Sequence, residues 1–150
     1  MTVHLGAGTV VQNDSGEILL VQEGKDHVKG QWNLPSGGYA REDEEHGETI
    51  REAAIRETKE ETGLKVGLKG LIGIYTREAH RTDAKNTLIY FEAEKVGGKI
   101  DPDAEEEILD AKYFSIEEIR KLETRFDLDT ILDDFEEKGS QSTPVRPLKF

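Results

Sequence analysis

Residues 49 to 64 dictate a local structure more firmly than any other part of the chain. Thr49 and Glu52 have the T-x-x-E spacing of a helix-capping box, in which hydroxyl and carboxylate satisfy backbone N–H groups that a first helical turn leaves free. Gly63 supplies a residue able to take the left-handed backbone that ends a helix. Between them Ile50, Ala53, Ala54 and Thr58 form a stripe to bury, so the helix runs approximately from Ile50 to Thr62. At about 100° per residue, Glu57, Glu60 and Glu61 crowd onto roughly a third of its circumference. Glu57 and Glu61 are an i,i+4 like-charge pair, which costs a few tenths of a kcal/mol in an isolated helix. Glu52 stands in favourable order before Arg56, and Arg56 can reach Glu60, but these pairings do not neutralise Glu57 with Glu61. A hard divalent cation would offset the cluster, because Mg²⁺ takes oxygen ligands and keeps waters for substrate phosphates.

The rest of the composition narrows what such a cation could serve. The 150 residues suit one domain, long enough to bury roughly 70% of the unfolded surface and to hold an enzyme core. With 32 acidic against 20 basic residues the formal net charge is -12, which disfavours a nucleic acid polymer or an anionic membrane as partner. Small charged substrates remain open through a bound cation. The absence of cysteine excludes disulfides, thiolate zinc sites and a Cys nucleophile. His4, His27, His46 and His80 show no paired zinc spacing and no triad. The opening Met1-Thr-Val-His-Leu-Gly lacks a basic n-region followed by an apolar stretch, and no run approaches the ~18 apolar residues of a membrane span. A soluble cytoplasmic protein with a small-molecule substrate is the simplest reading; the oligomeric state stays open, a homodimer included.

Val3 to Gln12, the turn signal Asn13-Asp14-Ser15-Gly16 and the apolar run Ile18 to Val21 predict a β-hairpin. Gly30 to Gly38 predicts a short extended piece ending in a glycine turn at Gly37-Gly38, where backbone can approach a ligand. Leu64 to Thr76 and Thr87 to Val96 read as strands around a polar loop, the second central in a sheet, with a turn at Gly97-Gly98. Ala111 to Phe114 is a further short strand, and Ser115 with Glu118 caps a short helix. Leu128, Ile131, Leu132 and Phe135 mark a last helix ended by Gly139. The pattern predicts one domain over residues 1–139, a tail over 140–150, and an α+β, three-layer α/β/α sandwich around a mixed sheet.

The helix and its upstream flank resemble the Nudix box of the Nudix hydrolase (MutT-like) family, G-x5-E-x7-R-E-U-x-E-E-x-G-U with U aliphatic. Glu48, Arg56, Glu57, Glu60, Glu61, Gly63 and Leu64 match in identity and spacing, and the likeness runs along nearly the full chain. Thr58 departs from the pattern where an aliphatic residue is usual, and nine residues rather than five separate Gly38 from Glu48, which lengthens the Tyr39 to Gly47 loop. The resemblance implies the Nudix fold and Mg²⁺-dependent hydrolysis, with Mn²⁺ as a substitute, of a diphosphate linkage in a nucleoside diphosphate derivative or nucleoside triphosphate. Such chemistry needs charge neutralised on the phosphoryl oxygens and a deprotonated water placed in line with the leaving group. By the same resemblance Glu57, Glu60 and Glu61 ligate the cation, the carbonyl of Gly37 or Gly38 adds a ligand, and Glu48 and Arg56 hold the carboxylates in place. The general base is then Glu57, Glu60 or the loop carboxylate Glu107.

Trp32 and Tyr39 flank the glycine turn and could stack on a base, although a core or loop role is the commoner one for such residues. Arg41, Arg77, Arg81 and Lys85 are loop cations that could meet substrate phosphates, although lone cations in polar loops are normally solvated. Two alternatives stand beside the nucleotide reading. One is a hydrolase of a non-nucleotide diphosphate, for which this acidic chain offers few basic residues. The other is a catalytically silent binding or sensor domain, which loss of a box carboxylate would mark; none is lost.

Overall fold

Strands β1 (Val3–Val11) and β2 (Ile18–Glu23) carry almost continuous apolar runs and need cover on both faces. Their environment in the computed structural model, which describes residues 3–39, 47–78 and 85–140, follows from that need. The remaining strands are β3 (Trp32–Asn33), β4 (Ser36–Gly38), β5 (Leu64–Glu78), β6 (Lys85–Gly98) and β7 (Ile108–Phe114). Three α-helices are described, α1 (Ile50–Thr62), α2 (Ile116–Ile119) and α3 (Leu128–Lys138).

The strands form a mixed four-stranded sheet, β4-β1-β6-β5, and an antiparallel three-stranded sheet, β3-β2-β7. In the larger sheet β1 runs parallel to β6 and antiparallel to β4, while β5 and β6 form a long antiparallel pair. Alternation along β1 and β6 makes the layers. Ala7 and Phe91 meet Ala53 and Ala54 of α1 on one face. Val10 and Tyr90 meet Ile131, Leu132 and Phe135 of α3 on the other. A third cluster, including Val11, Leu19, Val21, Leu64 and Ala111, fills the space between the two sheets. The α+β three-layer sandwich is therefore the observed fold, with β6 central as expected.

Four local expectations are corrected. The β1–β2 hairpin is a turn only: Asn13 and Gly16 close it, yet the strands share one bridge, Gln12 to Ile18, and then enter different sheets. Paired only to each other they would leave faces such as those of Val10 and Leu20, both fully buried, without cover. Gly37 and Gly38 form an edge strand against Ala7 and Gly6 instead of a turn. Gly97 and Gly98 continue β6, pairing with Lys65 and Leu64. Finally β7 starts at Ile108, whose buried side chain joins the inter-sheet cluster.

The helical expectations hold closely. In α1 Thr49 Oγ1 accepts from Glu52 N–H and the Glu52 carboxylate accepts from Thr49 N–H, completing the capping box. Gly63 ends the helix with φ 82° and donates its N–H to the carbonyl of Lys59. The cap occupies Glu52, so the carboxylate that reaches Arg56 from upstream is Glu48. Ser115 and Glu118 repeat the capping box on α2, and Asp127 caps α3. Residues 40–46, with Arg41 and most of the lengthened loop, lie outside the described residues, as do Arg81 and the tail over 141–150. Among the described residues no helix is long and apolar enough to cross a membrane.

Candidate active site

Arg56 organises the box. Its guanidinium donates from Nε to Glu48 Oε1 at 2.5 Å and from Nη2 to Glu48 Oε2 at 3.0 Å, a fork-to-fork pair that fixes the plane of the group. Nη1 reaches Glu57 Oε1 at 2.7 Å and Glu60 Oε2 at 3.2 Å. Nη2 also donates to the carbonyl of Gly38 at 2.9 Å, tying the helix to strand β4. Hydrogen bonding to Glu48 raises the Arg56 pKa above its ordinary value, so the side chain is a permanent cation.

Two of the three helix carboxylates face a common pocket of about 380 Å³, lined also by Ser36, Gly37, Glu23 and Glu106. Glu57 is buried, with its tip against β4 so closely that a Cβ on Gly37 would overlap its carboxyl group. Glu61 Oε1 accepts from the backbone N–H of Ser36 at 3.0 Å. Burial pushes the Glu57 pKa up against the opposing pull of Arg56. Burial pushes Glu61 well above the usual carboxylate range, and the nearby charges of Glu23, Glu57 and Glu106 add to the shift. Desolvated carboxylates gathered in one pocket are costly to ionise together, a cost that a bound cation would offset.

Glu60 lies elsewhere. It turns to Arg56 and borders a shallow hollow with Lys59, Gly63 and Asp101. Among the described residues no three acidic or imidazole side chains converge tightly enough to hold a metal ion. Arg56 holds Glu57 and Glu60, and the Ser36 N–H holds Glu61, by hydrogen bonds that a cation would compete for. The donor set is otherwise all oxygen, and that chemistry fits a hard divalent ion.

The loop and aromatic candidates fall out differently. Glu107 is exposed and has a left-handed backbone, φ 57°, while its carbonyl accepts from Gly24 N–H at 2.7 Å. The neighbouring Glu106 takes the pocket wall. Trp32 is half-buried against the core, packed edge-on to Phe114 at 4.8 Å between centroids. Tyr39 packs near Ala53 and Ala54 instead of lining the pocket. Gly38 borders the pocket, but its carbonyl is engaged by Arg56.

Sequence reasoning missed part of the pocket wall. Glu23, Asn33, Lys25, Arg125 and Phe126 line the same pocket. Glu23 is only 4% exposed, and a glutamate closing the apolar run of β2 is a signal that could have drawn notice. Asn33 follows Trp32 directly in the segment already read as extended. Arg125 and Phe126 carry no such signal, since only the docking of 123–125 beside β3, through Trp32 N–H to Glu123 and Arg125 N–H to Trp32, brings them in. Phe126 lies beneath two guanidinium groups, Arg77 at 4.5 Å and Arg125 at 5.2 Å.

Comparison with known proteins identifies the family. The NUDIX domain model matches residues 2–135. An ADP-ribose pyrophosphatase of Methanocaldococcus jannaschii is 32% identical over 126 residues, covering 84% of this chain and 69% of that one. An 8-oxo-dGDP phosphatase of Mus musculus is 36% identical over 107 residues, covering 70% of this chain but 30% of the relative, so the match there is to a part of a longer protein. The solved structure of a NUDIX hydrolase from Nitrosomonas europaea superposes with a TM-score of 0.80 at 27% identity, covering 93% and 92% of the two chains. With the box intact and the match spanning nearly its whole length, the chain belongs to the NUDIX domain family and is a Nudix hydrolase.

Proposed function

We propose that the protein is a Mg²⁺-dependent pyrophosphohydrolase that cleaves the diphosphate linkage of a nucleoside diphosphate derivative or a nucleoside triphosphate. The observation that carries this reading is the pair Glu57 and Glu61, two desolvated carboxylates facing one pocket beside β4. Glu57 and Glu61 hold the cation, with Glu60 as the third carboxylate of the box and the backbone at Gly37 beside them. When bound, the cation neutralises charge on the phosphoryl oxygens and makes water a stronger acid. Arg56 keeps Glu57 and Glu60 aligned through Glu48. Glu106, rather than Glu107, is the carboxylate that would accept a proton from attacking water, because it lines the pocket with Glu57 and Glu61, which Glu60 and Glu107 do not.

The relatives named for ADP-ribose and 8-oxo-dGDP support a nucleoside diphosphate moiety as the common element of the substrate. An inositol polyphosphate fits less well, because the only described Lys or Arg side chains lining the pocket are Lys25 and Arg125, and Arg125 is already paired with Glu23. The reading is tested by incubating the protein and Glu61→Gln with Mg²⁺ and a panel of nucleoside triphosphates, oxidised nucleotides, dinucleoside polyphosphates, nucleotide sugars and ADP-ribose. Release of phosphate, pyrophosphate or a nucleoside monophosphate by the wild type and its loss in the variant is the expected outcome. Turnover of no panel member, or a variant as active as the wild type, overturns it.

A further inference from the structure

Behind the wall that carries Ser36, one fully buried hydroxyl goes unmet. Tyr90 has no exposed surface, and its Oη makes no hydrogen bond. The ring is otherwise an ordinary core residue, packed with Val10, Leu34 and Leu132 and edge-on to Tyr75 at 6.2 Å between centroids. A phenylalanine would fill the same space and strand nothing, because a buried hydroxyl without a partner costs stability.

The sheet register says what the hydroxyl faces. Gly8 of β1 pairs with Ser36 of β4 on one side and with Tyr90 of β6 on the other, so these residues form one row on one face of the sheet. A Cβ on Gly8 would lie 2.6 Å from Tyr90 Cε1 and 2.7 Å from Ser36 Cβ. Both side chains therefore lean over the glycine toward each other. Ser36 lines the pocket, and its N–H donates to Glu61 Oε1 at 3.0 Å. Burial pushes the Tyr90 pKa up to about 12; the Ser36 side chain lies near enough to oppose that rise, and the Glu61 charge adds to it. Tyr90 is thus a permanent hydroxyl, and the carboxylate beyond Ser36 is one that faces the pocket.

An unmet buried donor raises the free energy of the arrangement that leaves it unmet, and so favours any arrangement that meets it. Ser36 Oγ is the acceptor for that bond, because Gly8 leaves no side chain between the two. Ser36 is half-buried on a short edge strand, so a turn about its Cα–Cβ bond is open to it.

We infer that Tyr90 is a positioning residue for Glu61: its hydroxyl donates to Ser36 Oγ when the pocket is loaded with its cation, and the bond holds the part of β4 whose N–H sets the Glu61 carboxylate. The inference rests on the reading of Glu61 as a cation ligand and adds a residue from the core behind it.

Calorimetric titration of Mg²⁺ into the full chain, beside thermal melts in a chelator at the same pH, tests it without turnover. Tyr90→Phe should melt in chelator at or above the wild-type temperature, since it removes an unmet donor. It should bind Mg²⁺ about tenfold or more weakly, the scale of losing a group that orients a metal ligand. Ser36→Ala removes the acceptor and should weaken Mg²⁺ binding by a similar factor. The double variant should be no weaker than the weaker single one, because the same bond is lost each time. Wild-type Mg²⁺ affinity in Tyr90→Phe, a melting temperature in chelator that falls with the affinity, or losses that multiply in the double variant overturns the inference. Glu61→Gln separates it from the reading it rests on. If Glu61→Gln weakens Mg²⁺ binding and Tyr90→Phe does not, the positioning role fails alone; if neither does, Glu61 is not a cation ligand and both fail.

Discussion

A Cβ placed on Gly37 would overlap the carboxyl carbon of Glu57, so the helix carboxylate occupies the space that any other residue on β4 would fill. The obstructing atoms are the tip of a side chain and can move. Gly37→Ala should therefore fold with a loss of about 1–3 kcal/mol, the usual cost of overpacking. It should displace Glu57 from the pocket wall and weaken Mg²⁺ binding by more than about tenfold, read by calorimetry beside a thermal melt. Unchanged Mg²⁺ affinity would show that Glu57 does not need this close approach.

Gly63 provides the contrast, because its constraint is backbone. Its φ is 82°, and an added Cβ would lie 2.5 Å from the carbonyl oxygen of Lys99, an atom that cannot swing aside. Gly63→Ala should cost more than Gly37→Ala in stability, at least about 2 kcal/mol, combining left-handed strain with that clash. Urea denaturation of the two variants decides the order.

Arg56 is a single cation shared by three carboxylates and one carbonyl. Lysine keeps the charge but has neither the planar fork for Glu48 nor the reach to hold Glu57 and Gly38 together. Arg56→Lys should reduce activity with Mg²⁺ about 10–100-fold, as loss of a group that orients metal ligands commonly does. A variant with near wild-type kcat would reduce Arg56 to a charge balance.

The raised pKa values of Glu57 and Glu61 set a pH dependence for the metal-free protein. A carboxyl group whose folded pKa lies above its unfolded value of about 4.3 binds more protons in the folded state, so stability falls as pH rises through that window. The melting temperature in a chelator should accordingly be higher near pH 5 than near pH 8. Saturating Mg²⁺ should reverse the trend by favouring the ionised forms. Glu61→Gln should flatten the slope in chelator; an unaltered slope would place the titration elsewhere.

How much of this was readable beforehand depends on whether the cause was local. Thr49, Glu52 and Gly63 act within one helix, and their caps form as the spacing requires. The stripe of α3 and the central position of β6 follow from apolar patterning that any packed arrangement must respect. The fate of Gly37 and Gly38 was not local, since an edge strand exists only once β1 lies beside it. The same holds for the pocket wall. Glu23, Asn33 and Arg125 come from three distant parts of the chain, and their meeting depends on residues 123–125 docking beside β3. Glu106 and Glu107 could not be told apart, because an acidic run has no periodicity to say which side chain turns inward until the backbone at Glu107 is fixed.

Thr58 stands where an aliphatic residue is usual in the box, and its surroundings explain how a hydroxyl is tolerated there. The side chain is fully buried, its Oγ1 lies 2.7 Å from Thr9 Oγ1, and it donates to the carbonyl of Ala54 at 2.8 Å. With its proton spent on Ala54, Thr58 is the acceptor of the bond from Thr9. Thr58→Val keeps the shape but leaves the Thr9 hydroxyl buried without that partner, which should cost about 1–3 kcal/mol. Thr9→Val in the same background removes the stranded donor and should restore much of the loss. The double-mutant cycle, measured by urea denaturation, should therefore show coupling of more than about 0.5 kcal/mol between two residues 49 positions apart. Additive effects would mean that the two hydroxyls are satisfied independently, and the departure from the family pattern at Thr58 would then owe nothing to Thr9.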